Sequence, residues 1–249
     1  MSKIEGKVCF ITGASSGIGY VTGEVLAKKG AKVILTARRE ERLKELAENL
    51  SNEGYHAEYK VLDVTDSEAF KKAVDDTVDK HGRIDVLFNN AGVMPLSFMD
   101  KLKTGEWNMM VDVNIKGVLN GIAAVMNHMK KQNSGHILNT SSVAGKKVFP
   151  GGGVYCATKY AVEAISESLK IELSKETNIK VSTISPGPVK TELTQTITDE
   201  DILEKFDARK GMLEPLESMD IANGVVYALE QPDNVNISDV YIKPVNYNM

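Results

Sequence analysis

"KVCFITGASSGIGY", residues 7–20, sets a short apolar run directly against a glycine-rich turn that opens into a helical pattern. Strand, turn and helix in that order form the first half of a βαβ unit. Gly13, Gly17 and Gly19 allow a tight turn, close approach of backbone to a pyrophosphate, and close packing of helix on strand. The first helical turn, reached through Ser15, Ser16 and Ile18, then presents unpaired N–H groups to an anion. A purely structural glycine turn would read the same way, and the spacing departs from the common G-x-G-x-x-G dinucleotide fingerprint. The rest of the chain has to arbitrate.

Along that chain the same alternation repeats. Further apolar runs lie at 31–37, 56–62, 84–89, 135–141, 179–185 and 239–243, and most lack strict alternation, as strands covered on both faces do. Helical patterns occupy 17–29, 40–53, 66–81, about 105–131, 153–176 and 219–231, with Gly30, Gly54 and Gly82 placed as C-terminal stops. Strands and helices that alternate at this size predict an α/β fold with a parallel sheet between two helical layers. With no linker, repeat or low-complexity tract, residues 1–249 read as one domain. Segment 190–217 breaks the rhythm: Pro186 and Pro188 precede a charged, Thr-rich stretch with a short helical pattern near 199–209, closed by Pro215. A long insertion after a strand's carboxyl end is expected to be a substrate lid; a solvated surface excursion is the plainer alternative.

Composition narrows the function classes. The 249 residues are 42% hydrophobic and 26% charged with a net charge of −4, which excludes a basic footprint for nucleic acid. No apolar stretch reads as a transmembrane span, and the start leads into the glycine turn instead of resembling a signal peptide. Cys9 and Cys156 lie far apart within apolar segments, so buried free thiols in the cytoplasm are expected, with neither a disulfide nor a metal site. His128 and His136 read as helix-end or turn residues, not ligands.

The second strand bears on the nucleotide. An acidic residue about 20 positions past the glycines would grip the adenosine ribose hydroxyls and select NAD(H). Here "LTARRE", residues 35–40, has Ala37 at that place, followed by Arg38 and Arg39. Guanidinium groups there suit the 2′-phosphate of NADP(H), and no carboxylate of the strand end opposes them. Glu40 and Glu41 belong to the next helix and are expected to face solvent. Two arginines serving only as helix-start surface charges remain the alternative.

"VYCATKY", residues 154–160, puts Tyr155 and Lys159 one turn apart on one helix face, a phenol beside an ammonium. Taken with "TGASSGIG" (12–19), "LDVTD" (62–66), "NNAG" (89–92), "VDVNIKG" (111–117), "NTSSVAG" (139–145) and "SPGPVKTEL" (185–193), the pair makes the chain resemble the short-chain dehydrogenase/reductase family in its compact single-domain form. The resemblance covers nearly the whole chain in the right order. It implies a doubly wound Rossmann-type fold with a seven-stranded parallel sheet of order 3-2-1-4-5-6-7. It also implies that Tyr155 is the proton donor for carbonyl reduction, that Lys159 lowers its pKa and binds the nicotinamide ribose, and that Ser142 holds the substrate oxygen. Asn114, by the same resemblance, holds a water linking Lys159 to solvent. Asp63 and Val64 would meet the adenine; Asn90, Ala91 and Gly92 would let backbone lie against the cofactor; Pro186, Gly187, Val189 and Thr191 would hold its carboxamide and phosphates.

The implied function is NADP(H)-dependent hydride transfer between nicotinamide and a secondary alcohol or carbonyl substrate. The tail "NVNISDVYIKPV" (234–245) and the arginine pair resemble, less specifically, the NADP-dependent dehydrogenases of 3-hydroxy acids and serine. A short 3-hydroxy acid or a ketone is therefore the expected substrate, with Arg209, Lys190 and Lys210 as carboxylate partners in the acid case. The family implies a homodimer or homotetramer through the helices at 105–131 and 153–176. A catalytically silent NADP(H)-sensing regulator of the same fold is the rival reading, and it leaves the set Asn114, Ser142, Tyr155 and Lys159 without a use.

Overall fold

The computed structural model describes residues 2–208 and 214–247. Its strands are β1 (Val8–Thr12), β2 (Lys32–Ala37), β3 (Ala57–Val61), β4 (Val86–Asn89), β5 (Gly135–Thr140), β6 (Ile179–Pro186) and β7 (Asp239–Ile242). They form a seven-stranded sheet in the order β3-β2-β1-β4-β5-β6-β7, with every neighbouring pair parallel. The connecting helices are α1 (Gly17–Lys28), α2 (Glu40–Asn52), α3 (Ser67–His81), α4 (Thr104–Val111), α5 (Gly117–Gln132), α6 (Gly153–Leu173), α7 (Glu200–Ala208) and α8 (Ser218–Leu229).

Side chains that alternate along each strand feed two cores. Cys9, Ile11, Val33, Leu35, Phe88 and Ile184 pack against α1, α2 and α8. Val8, Phe10, Ile34, Leu87, Ile137 and Val181 pack against α3, α5 and the end of α6. The inner strands β2, β1, β4 and β5 are thus apolar on both faces, which is why their runs lack a polar period. Glu40 and Glu41 are exposed at the start of α2, where their charge suits the helix dipole.

One expectation needs correction. The pattern at 105–131 reads as one regular helix, but Asp112–Lys116 form a π-helical turn between α4 and α5. An inserted residue leaves the apolar pattern nearly in phase, so periodicity does not reveal it; such turns are often found at functional sites. The run Thr104–Gln132 is also the one helix among the described residues long and apolar enough to cross a membrane by length and composition. Here α5 flanks the sheet and packs Val125 and Met129 into the same core as Phe70 and Val74 of α3, which accounts for its apolarity.

Burial also sets the charge of His136 in β5. Its Nε2 lies 2.7 Å from Ser182 Oγ, and that hydroxyl gives its own hydrogen to the Ile237 carbonyl, so the imidazole donates. Burial, then the charges of Lys180 and Lys7, lowers its pKa to about 3. An unfolded chain binds this proton below about pH 6.5. Stability contributed by the neutral ring is therefore present above that pH and is lost on acidification down to about 3, by at most about 1.4 kcal/mol per pH unit. Urea unfolding of the native chain and of His136→Gln across that range is expected to show a shallower acid slope in the variant.

Candidate active site

Sheet order reverses between β1 and β4, so the loops leaving those strands diverge and open a crevice at the carboxyl ends. Thr12 and Asn90 tie its floor. The Thr12 hydroxyl accepts from the N–H groups of Asn90 and Ala91 at 2.9 and 3.0 Å, and the Asn90 amide donates to the Thr12 carbonyl at 3.1 Å. Gly13 has φ +67, and a Cβ there would sit 2.9 Å from Ala91 Cα. A Cβ on Gly19 would lie 2.5 Å from the Gly13 carbonyl oxygen. Both positions therefore admit only glycine, one for the turn and one for the contact of α1 with it.

Ser16 precedes α1 without capping it by its side chain. Its hydroxyl instead accepts from Arg39 at 2.6 Å, and the Ser15 hydroxyl accepts from the same guanidinium at 3.0 Å. The first-turn N–H groups of α1 are thereby left to an anion, a cradle that fits the pyrophosphate of a dinucleotide. Ile18 packs on the core beneath. Thr191 lies over the turn, its methyl group 3.0 Å from where a Gly17 Cβ would be. At the crevice's edge, Asp63 accepts from the Thr65 N–H and hydroxyl and lies 3.9 Å from Arg38. The Val64 carbonyl accepts from Asn120. The Pro186 carbonyl accepts from Ser142 at 3.4 Å, the Gly187 N–H donates to Ile242, and Val189 pairs with Leu216.

The strand end of β2 carries no carboxylate of its own, yet the arginines are not left unopposed. Glu192, more than 140 residues onward, accepts from Arg39 and from Arg42 at 2.7 Å each. Those two guanidinium groups, Arg42 first, pull its carboxyl down to about 2. Neither Arg42 nor Glu192 stands out in the sequence as a partner of this site, because nothing local links them.

On the other side of the crevice, Ser142, Tyr155 and Lys159 come together with Asn114. The Tyr155 phenol is hydrogen-bonded to Ser142, whose hydroxyl also accepts from the Ala144 N–H. Lys159 is 6% exposed, and its Nζ donates to the Thr140 carbonyl at 2.8 Å. Asn114, in the π-helical turn, accepts from the Val93 N–H at 2.9 Å. Its amide donates to the Val93 carbonyl at 2.9 Å and to Thr158 Oγ1 at 3.1 Å. Both amide hydrogens are thus committed to protein, so the water expected at Asn114 has only the second lone pair of Oδ1. A Cβ on Gly92 would be 3.4 Å from that oxygen and 3.9 Å from Lys159 Nζ, so Gly92 separates the two.

Electrostatics revises one expectation. A phenol acidified by its cationic neighbour was anticipated, but burial raises Tyr155 to about 12 against the lowering bond from Ser142. Lys159 lies 5.7 Å from the phenol ring centre and points at Thr140. Burial also lowers its own pKa to about 8, against the raising effect of Glu163. Desolvation of the phenolate thus outweighs the hydrogen bond from Ser142. Cys156 is a buried thiol facing the Lys147 carbonyl at 3.9 Å, and burial raises its pKa, so it is no nucleophile.

Around Tyr155 lies an apolar wall of Val93, Leu96, Met110, Ala144, Ile197 and Ile202, with Phe149 and Trp107 against it. Ile197 and Ile202 come from the segment after β6, which Asp199 anchors by accepting from Ser97 at 2.7 Å. Lys190 on that segment pairs with Glu217 at 3.5 Å; Arg209 and Lys210 lie outside the described residues.

Comparison with known proteins agrees with this geometry. Residues 7–202 match the short chain dehydrogenase family model. An uncharacterized oxidoreductase of Staphylococcus saprophyticus is 44% identical over 251 residues, covering 100% of both chains. Among solved structures, the closed form of a serine dehydrogenase complexed with NADP+ superposes with a TM-score of 0.89 at 32% identity, over 97% of this chain and 96% of that one. An alcohol dehydrogenase from the archaeon Thermococcus sibiricus, complexed with 5-hydroxy-NADP, gives a TM-score of 0.86 at 29% identity, over 98% and 99% of the chains.

Replacing Asn114 by leucine would strand the buried N–H and carbonyl of Val93 with a side chain of similar size. The expected loss is about 2–4 kcal/mol, read as a lower midpoint in urea unfolding. An unchanged midpoint would mean that the π-helical turn is held by other contacts.

Proposed function

The chain belongs to the short-chain dehydrogenase/reductase family and is an oxidoreductase of that type; from this premise we propose that it interconverts a carbonyl compound and a secondary alcohol with NADP(H). One observation carries the proposal: Ser142, Tyr155 and Lys159 converge beside Gly92, at the carboxyl ends of β4 and β5, within reach of the glycine turn. When bound, the nicotinamide supplies or accepts the hydride. The chain's own groups handle the oxygen and the proton.

In reduction, the Tyr155 hydroxyl gives its proton to the carbonyl oxygen as negative charge develops there. Ser142 donates to the same oxygen and stabilises that charge. Lys159 keeps a positive charge close to the phenol, while Asn114 and Thr158 hold the helical turn that carries both. The Thr158 hydroxyl, which accepts from Asn114, donates to the Tyr155 carbonyl at 2.7 Å. Gly13, Ser15, Ser16, Gly17, Ile18 and Gly19 seat the phosphates; Arg38 and Arg39 take the 2′-phosphate; Asp63 and Val64 meet the adenine. Asn90, Ala91, Gly92, Pro186, Gly187, Val189 and Thr191 line the remaining path.

For the substrate, the apolar wall favours a ketone, with 190–217 as the lid over it. The likeness to serine dehydrogenase favours a second reading, a short 3-hydroxy acid. Turnover of simple ketones with no turnover of hydroxy acids would remove that second reading. The two buried free thiols suit the cytoplasm. Exposed Leu119, Tyr160 and Ile171 on α5 and α6 suit a homodimer or homotetramer.

Tyr155→Phe is expected to lower NADPH-dependent ketone reduction by roughly 10²–10⁴ while leaving NADPH affinity unchanged. Equal rates in variant and native protein would instead favour the nucleotide-sensing regulator. Because the phenol is pushed up to about 12, oxidation, which uses the phenolate, should rise with pH over the range in which Lys159 keeps its charge, up to about 8. Reduction should stay level up to about pH 8, where Lys159 loses its charge. Arg38→Ala should raise KM for NADPH far more than KM for NADH, and similar changes for both would refute the phosphate role.

A further inference from the structure

We propose that Glu192 sets how strongly the chain prefers NADP(H) over NAD(H): its carboxylate fills the anion site that the 2′-phosphate requires and must leave when the phosphate binds. The inference rests on the NADP(H) reading above and goes beyond it by naming a residue that works against the phosphate.

The geometry is that of an anion already in place. One carboxylate oxygen accepts from Arg39 and the other from Arg42, each at 2.7 Å. The Arg39 guanidinium is turned at the same time to Ser15 and Ser16 of the glycine turn, so Arg39 bridges Glu192 to the two serines at the end of β2. A phosphate placed among Arg39, Ser15 and Arg42 would find its strongest donors spoken for, and Glu192 would repel it. A cofactor with a plain 2′-hydroxyl brings no second anion and displaces nothing. The carboxylate therefore weakens one cofactor and leaves the other alone.

Displacement would also reach the substrate side. Glu192 begins the 3₁₀ turn Glu192–Thr196. Thr196 accepts from the Met94 N–H at 3.2 Å, and the next residue, Ile197, lies in the apolar wall around Tyr155. A single short turn thus joins the phosphate site to the lid.

Calorimetry with 2′,5′-ADP and 5′-AMP isolates the phosphate from the hydride chemistry. In Glu192→Gln, which keeps the shape and removes the charge, 2′,5′-ADP should bind roughly tenfold more tightly and 5′-AMP equally well. Thermal melts without nucleotide check that the variant is folded. If Glu192 merely positions Arg39 for the phosphate, the variant binds 2′,5′-ADP more weakly, and that sign overturns the proposal. A native chain that prefers 2′,5′-ADP, with no change in the variant, also overturns it while leaving the NADP(H) reading intact. Equal affinity for the two nucleotides in both native and variant protein would sink the NADP(H) reading itself, and this proposal with it.

Discussion

Lys159 is an ammonium held where water scarcely reaches, with its Nζ 2.8 Å from the Thr140 carbonyl. Burying a cation is expensive unless a dipole meets it. Here the dipole is the last carbonyl of β5, and that requirement propagates outward. Lys159 must sit on a helix that starts near the strand end, and the helix must not turn about its axis. Asn114 secures this from the π-helical turn through its bond to Thr158 of α6, and Gly92 leaves room beside the ammonium.

A parallel sheet makes such a gathering natural. All seven strands point the same way, so every loop that follows a strand emerges at one edge. Residues 12–19, 90–94, 140–145 and 186–197 are remote in sequence yet form adjacent walls of one crevice. Reversal of strand order between β1 and β4 keeps the loops there from closing over each other. The glycine turn and the group of Ser142, Tyr155 and Lys159 thus flank one crevice.

Much of this was legible in the residues. Two-faced strands betray themselves by unbroken apolar runs, and glycines at 13 and 19 mark places where only backbone fits. Tyr155 and Lys159 share a helix face at a spacing that any reader of helices can use. The π-helical turn at Asp112–Lys116 was hidden, because the one extra residue hardly disturbs an apolar period. The pairing of Glu192 with Arg39 and Arg42 was hidden for another reason: it depends on where a loop leaving β6 lies relative to one leaving β2.

Sequence alone determined the alternation of strands and helices, the glycine turn, the arginines after β2 and the helix face that Tyr155 and Lys159 share. These follow from local sterics, side-chain period and donor chemistry, which neighbours in the chain suffice to define. Tertiary structure alone decided the electrostatic state of the groups so chosen. Whether a phenol titrates high or low, or an arginine faces solvent or a carboxylate, depends on how much water the fold removes and which charges it brings near. Desolvation and long-range pairing are properties of packed space, and burial here pushes Tyr155 up and Lys159 down, against the simple expectation from their spacing.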